Sequence, residues 1–235
     1  ADIEREFNRM ADRIQMLIND NKLLGRAVSH DLKTPLARLR FGIEAVEESD
    51  DERQRERYHR RIEKDLDEME QLVETLLQYA RLDESNIKLE FHEVDLAEFA
   101  RQIVDKHALN NKVITVKIEG RCRIQGEKKY LLMLMNNIVK NALEHCDQKV
   151  DIALLRERGQ VVFSVADDGA GIPAQERAQV IKPFVRGRRT EGRKGHGMGL
   201  AIVQRIAEWH HAKVVIGESA SLGGANISVT FNCSK

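Results

Sequence analysis

Apolar residues recur along the first third of the chain at helical spacing. Ile3, Phe7, Met10, Ile14, Leu17, Asn21, Leu24 and Val28 follow at alternating steps of four and three, a heptad seam whose polar member, Asn21, is the kind of residue that fixes register. The apolar positions then continue through Leu32, Leu36, Leu39, Ile43 and Val46. The step Leu24–Val28–Leu32 is a stutter that locally relaxes the supercoil. An acidic turn over 47–52 separates this helix from a second, whose stripe is Ile62, Leu66, Met69, Leu72 or Val73, Leu76 and Ala80. Two helices cannot bury both stripes between themselves, so the pattern predicts a dimeric antiparallel four-helix bundle. The plainer alternative for residues 1–82 is a coiled-coil spacer.

From about residue 83 the heptad is lost and strands alternate with helices. The pattern predicts a short strand around Phe91 and strands over 113–118, 150–155, 161–166, 214–216 and 226–231. It predicts helices over 131–145, 173–181 and 200–210, and a further helix capped by Asp95 with Glu98 in the reciprocal position. The fold class is therefore α+β, a helical bundle followed by a two-layer α/β sandwich with helices on one face of a mixed sheet, hinged near 83–86.

A chain of 235 residues accommodates one large domain or two modest ones. Its 38 basic and 38 acidic side chains give no net charge, which argues against bulk attraction to nucleic acid or anionic lipid. Cys122, Cys146 and Cys233 are odd in number and widely spaced, and read as reduced structural thiols of a cytosolic domain. No apolar run approaches a membrane span and no signal peptide opens the chain, while a start at Ala1 in mid-helix pattern reads as a piece of something longer.

Candidate chemistry sits first in Ser29-His30-Asp31-Leu32-Lys33-Thr34-Pro35. His30 stands about 200° around the helix from both Val28 and Leu32, so it faces away from the seam and is exposed. A phosphoryl acceptor needs such an imidazole. Asp31 can hold its tautomer and take up its proton, Thr34 lies one turn on and can orient a water, and Lys33 offers a cation. Pro35 removes the helical partner of the Asp31 carbonyl and bends the helix there. The bland alternative is a surface histidine beside a chance proline kink.

Two glycine clusters follow, Asp167-Asp168-Gly169-Ala170-Gly171 and Gly195-His196-Gly197-Met198-Gly199. A carboxylate ending a strand can accept from an exocyclic amine such as that of adenine, while Gly169 and Gly171 let backbone approach a ligand. Gly195, Gly197 and Gly199 ahead of Leu200 form an anion-binding helix start. The basic, glycine-rich stretch 186–194, which opens on Arg186-Gly187, reads as a lid whose cations meet phosphates, or more plainly as a solvated loop. Asn137 and Asn141 share a helix face and suit a Mg²⁺ ion that keeps several waters. His145 continues that face and could stack on a base. His59, His92, His107, His210 and His211 show no comparable company.

Together these segments resemble the bacterial sensor histidine kinases over nearly the whole chain. Residues 29–36 look like the histidine box with His30 as phosphoacceptor, and 137–145 like the asparagine box with Asn141 as Mg²⁺ ligand. The stretch 167–172, ending in Ile172, resembles the first glycine box, whose aspartate reads adenine. Pro183-Phe184-Val185-Arg186 resembles the phenylalanine box, 195–200 the second glycine box, and Gly223-Gly224 the terminal glycine pair. The start is similar to the last helix of a HAMP relay, and the stretches 184–187 and 201–205 most resemble the osmosensor-type membrane kinases.

The resemblance implies three segments: residues 1–19 as a HAMP-like linker, 20–82 as the dimerisation and phosphotransfer domain, and 83–235 as an ATP-binding domain with the fold of the gyrase and heat-shock-chaperone ATPases. It implies ATP and Mg²⁺ as cofactors, a homodimer and a response-regulator receiver domain as partners, and phosphatase activity toward that regulator. It places the chain as the cytoplasmic portion of an inner-membrane sensor, whose only membrane contact is through a transmembrane region outside this sequence. Lys33, Ala170, Met198 and Glu144 depart from the usual residues. Glu144 puts one phosphate contact in doubt, for which Lys140 or the lid arginines could substitute. The alternative from another class is a non-catalytic dimeric relay that binds nucleotide only to signal.

Overall fold

The structure, a computed structural model, describes residues 32–82, 88–107, 112–187 and 197–233. The heptad seam through Val28, His30 with Asp31, and the hinge expected at 83–86 lie outside those residues. The chain divides into two compact units between Leu77 and Gln78.

The first unit is a helical hairpin of α1, residues 32–48, and α2, Glu52–Leu82, whose last turn belongs to the second unit. Asp51 caps α2 by accepting from the Arg53 N–H at 3.0 Å. The register is antiparallel: the Arg38 guanidinium lies 3.5 Å from Asp65 and 3.3 Å from Glu68, and a Cβ on Gly42 would stand 2.9 Å from Cγ1 of Ile62. A side chain at position 42 would force the Ile62 side chain to shift.

This close approach divides the stripe predicted for α1. Pro35, Leu39 and Gly42 are buried, whereas Leu36 and Ile43 remain 58% and 51% exposed. Along α2, Leu72 is fully buried while Leu66, Val73 and Leu77 are exposed and line an open groove of about 520 Å³ with Met69. The apolar pattern thus covers two faces of each helix. Among the described residues, no helix is long and apolar enough to cross a membrane.

In the second unit, β1 (His92–Asp95) and β3 (Arg123–Gly126) form an antiparallel ribbon. A five-stranded mixed sheet runs in the order β2 (Val113–Glu119), β4 (Lys149–Glu157), β5 (Gln160–Asp167), β7 (Ala225–Asn232), β6 (Lys213–Glu218), with only β2 and β4 parallel. Helices α3 (Leu96–His107), α4 (Lys128–His145) and α5 (Gly199–Trp209) join the core formed by alternate residues such as Ile152, Leu154, Phe163, Val165, Val229 and Phe231. Period-two burial along β4, β5 and β7 leaves their other residues only partly covered, so the helices occupy one face. Tyr79 and Leu82 from the end of α2 also pack into this core.

Three expectations are corrected. Strand β3 has no counterpart among the predicted strands, because four residues ending in glycine are too few for alternation to register. The helix expected over 173–181 is a run of turns. Glu176, Gln179 and Lys182 donate three residues back, and only the Val180 N–H reaches four back, to Glu176. That mixture closes rings too tightly to propagate an α-helix. Asp95 does cap α3 through the Ala97 N–H at 3.0 Å, but Glu98 instead accepts from Gln102 at 3.4 Å, since Asp95 is already paired in the ribbon opposite Arg123.

Candidate functional site

Strand β5 ends in Asp167, a carboxylate only 2% exposed. Its Oδ1 accepts from the N–H groups of Gly169 at 2.9 Å and Ala225 at 3.1 Å, and its carbonyl accepts from Gly224 at 3.1 Å. Oδ2 has no hydrogen bond among the described residues. Burial pushes the Asp167 carboxyl up. The two N–H bonds and the nearby His145 imidazole pull the other way without reversing the shift. The glycines here answer to space. A Cβ on Gly169 would run into the His145 carbonyl, and one on Gly224 into the carbonyl and Oδ1 of Asp167. Gly171 follows with φ +68°, and Ile172 packs against the core.

Asn137 and Asn141 are partly buried and one turn apart on α4. Asn137 donates through Nδ2 to the Met133 carbonyl at 2.8 Å, so its Oδ1 is left for other partners. A Cβ on Gly199 would lie 3.4 Å from that oxygen, so the asparagine face abuts the start of α5. No side chain caps α5 and its first backbone bond runs from Ile202 to Met198, leaving the N–H groups of Gly199, Leu200 and Ala201 without an intrahelical acceptor. Met198 and Leu200 are buried, so what they present to a ligand is main chain.

Gly197, at φ +66°, accepts from the Phe184 N–H at 2.9 Å. A Cβ at 197 would be 3.0 Å from the Val185 carbonyl. This bond draws together the two ends of the basic loop, whose residues 188–196, Gly195 and His196 among them, lie outside the described residues. Arg186 is exposed, and Gly187 passes beside the Glu176 carboxylate. Lys140 is paired with Glu144 at 3.8 Å. Thr34 is exposed on α1 in the first unit. Among the described residues, no group of three His, Cys, Asp or Glu could hold a metal. Burial raises the Cys122 and Cys146 thiols, which fits structural thiols.

The pattern did not single out three residues that fasten this arrangement. Asp168 accepts through Oδ1 from Asp147, Gln148 and Lys149 N–H groups at 2.9, 3.0 and 3.0 Å. Burial works upward on its carboxyl, yet these bonds outweigh it and hold Asp168 below the usual range. Lys112 donates to the Cys146 and Asp147 carbonyls, so the turn leaving α4 is held by an anion on its N–H groups and a cation on its carbonyls. At the opposite end of α4, the buried His210 donates through Nδ1 to Ile206 at 2.8 Å. Its Nε2 accepts from the Glu127 N–H at 3.1 Å, and its ring stacks on Phe91. Burial pushes His210 down. In the sequence Asp168 was one letter of an Asp-Asp-Gly turn, and His210 an ordinary histidine.

Two family models match, the His Kinase A (phospho-acceptor) domain over residues 20–85 and the histidine kinase-, DNA gyrase B- and HSP90-like ATPase over 126–235, together well over half of the chain. Sensor protein RstB of Escherichia coli K12 is 34% identical over 234 residues, covering 96% of this chain and 52% of RstB. Sensor histidine kinase GtrS of Pseudomonas aeruginosa is 32% identical over 231 residues, covering 97% of this chain and 46% of GtrS. The chain spans about half the length of these curated relatives. The solved structure of histidine kinase ThkA in complex with response regulator protein TrrA shares the fold, with a TM-score of 0.76 at 21% identity over 97% of this chain and 66% of that one. With both domain types matched in order and these relatives matched over nearly the whole of this chain, the chain belongs to the bacterial sensor histidine kinases of two-component systems.

Proposed function

We propose that the chain phosphorylates itself on His30 from ATP, passes the phosphoryl group to an aspartate of a response-regulator receiver domain, and also dephosphorylates that regulator. In this reading residues 1–19 end a HAMP-like relay, 20–82 dimerise and carry the phosphoacceptor, 83–235 bind ATP, and the whole is the cytoplasmic portion of an inner-membrane sensor. The observation that carries it is the Asp167 cradle, a buried carboxylate with one oxygen uncommitted, lined by glycines that nothing larger could replace, in the same unit as the bare start of α5.

Asp167 accepts from the adenine amine, with Gly169, Gly171 and Ile172 as walls and His145 against the base. The main chain of 197–200 receives phosphate oxygens, and Arg186, Gly187, Gly195 and His196 close over them. Asn137 and Asn141 would hold Mg²⁺, with Asn141 as the direct ligand. Neutral amide oxygens without an acidic cluster suit an ion that keeps most of its waters, and the ion supplies neutralisation of phosphate charge. The His30 nitrogen forms a bond to the γ-phosphorus as the bond to the ADP oxygen breaks, and Asp31 takes the imidazole proton. Thr34 orients the water that hydrolyses the regulator's acyl phosphate. The exposed apolar side of the hairpin supports a homodimer.

Incubation with γ-labelled ATP and Mg²⁺ tests the reading. Acid-labile label is expected on the parent chain and none on His30→Gln, with ATP binding retained in both. A parent chain that binds ATP without acquiring label would instead be a nucleotide-binding relay.

A further inference from the structure

The exposed side of the hairpin carries charge in a pattern as regular as its apolar residues. On α1, Leu36, Arg40, Ile43 and Glu47 follow at steps of four, three and four. On α2, His59, Glu63 and Leu66 extend the exposed stripe of Val73 and Leu77 at the same spacing. Arg40 and Glu63 therefore stand on the same side of the hairpin as the apolar surface. The Arg40 side chain is 85% exposed and bonds Glu44 one turn on, while Glu63 takes no ion-pair partner among the described residues.

The hairpin register fixes heights. Position 38 lies opposite 65–68 and position 42 opposite 62, so Arg40 is level with Lys64, next to Glu63, on the neighbouring helix. Two hairpins joined by these sides about a two-fold axis along the helices set α1 of one protomer over α2 of its partner, with heights unchanged. Arg40 then meets the partner's Glu63 beside the apolar contacts, and symmetry makes the contact twice. We infer that Arg40 and the partner's Glu63 form this reciprocal ion pair and select a second copy of this chain as the occupant of the apolar side. The inference rests on the homodimer proposed above. An exposed pair adds little affinity, but like charges forced into its place repel, so its main effect is on partner choice.

The test uses the full chain carrying Arg40→Glu, Glu63→Arg, or both, in two sizes so that hetero- and homodimers separate. Each single variant is expected to dimerise about tenfold more weakly than the parent, because two like-charge contacts replace two attractive ones. Mixed together, the two singles should form heterodimer well in excess of the statistical half, and the double variant should recover parental dimerisation. The double variant keeps the loss of the Arg40–Glu44 pair, so its recovery isolates the contact between subunits. A dimeric parent whose single variants exchange statistically overturns the pairing alone. A monomeric parent overturns the homodimer and the pairing together. Helical content of each variant, read by circular dichroism, shows whether any weakened dimer reflects lost folding.

Discussion

At Asp167 burial opposes the ionisation of a single carboxylate. Burial raises its folded pKa, so its ionised form is held at a cost near neutrality, and whatever stability it lends is present below the ordinary carboxylate value and lost as pH rises through the raised one. Asp167→Asn is therefore expected to leave the thermal midpoint at pH 7 unchanged or slightly higher. It should weaken ATP by about 1–3 kcal/mol, the usual cost of leaving a buried polar group mispaired, with GTP remaining a poor ligand. Calorimetric titration beside thermal melting separates the two effects, and an Asn variant binding ATP as tightly as the parent would remove adenine from this pocket. Much of this was legible in the letters: an Asp before alternate glycines, and a glycine pair near the end of the chain. The sequence could not say that Gly224 exists because Asp167 lies behind it, a contact bridging 57 positions that only the β5–β7 pairing creates.

Helix α4 shows the same division one level up. Its apolar periodicity announced the helix and its asparagine face, but its placement depends on groups remote in sequence, His210 at one end and Asp168 with Lys112 at the other. His210 can accept from Glu127 only while neutral. Its folded pKa is depressed, so the stabilisation it gives is complete above its unfolded value of about 6.5 and is lost as pH falls below that. Asp168 follows the same sign lower down, stabilising fully above an ordinary carboxylate pKa of about 3.9 and losing effect as pH falls through its depressed folded value. His210→Phe is expected to cost about 1–3 kcal/mol at pH 7.5, because Phe leaves the Glu127 N–H without its acceptor. The deficit should shrink toward pH 5, where the parent is losing the same bond. Denaturant unfolding across that range checks this, and parallel pH profiles for parent and variant would contradict it. The elements misread, β3 and the turns after Pro173, are those too short or too irregular for a period to accumulate, whereas β4, β5 and β7 each run eight or nine residues with alternate burial.

For the whole molecule the informative pair is Leu72 and Val73, between which the α2 stripe could not choose. Both are apolar positions, serving different surfaces: Leu72 is fully buried within the chain, while Val73 is 44% exposed beside Leu66 and Leu77. Periodicity alone blurs them because, in the proposed dimer, each helix buries one face against its own hairpin and the adjoining face against a partner, and the two apolar sets merge into one wide stripe. Leu72→Ala is expected to destabilise the chain by about 2–5 kcal/mol, the range for a buried leucine that leaves a cavity. Val73→Glu adds a carboxylate between Glu70 and Glu74 on the groove and should weaken dimerisation, removing little packing within the protomer. The two are distinguished by how the melting temperature responds to protein concentration. A folded dimer is stabilised by mass action, so the parent and Leu72→Ala should melt at higher temperature as concentration rises, with Leu72→Ala lower throughout. Val73→Glu should lose that dependence and sediment as a single chain with helical content intact. If it remains a concentration-dependent dimer, the apolar side of α2 faces something other than a second copy, and the bundle must be closed through other residues.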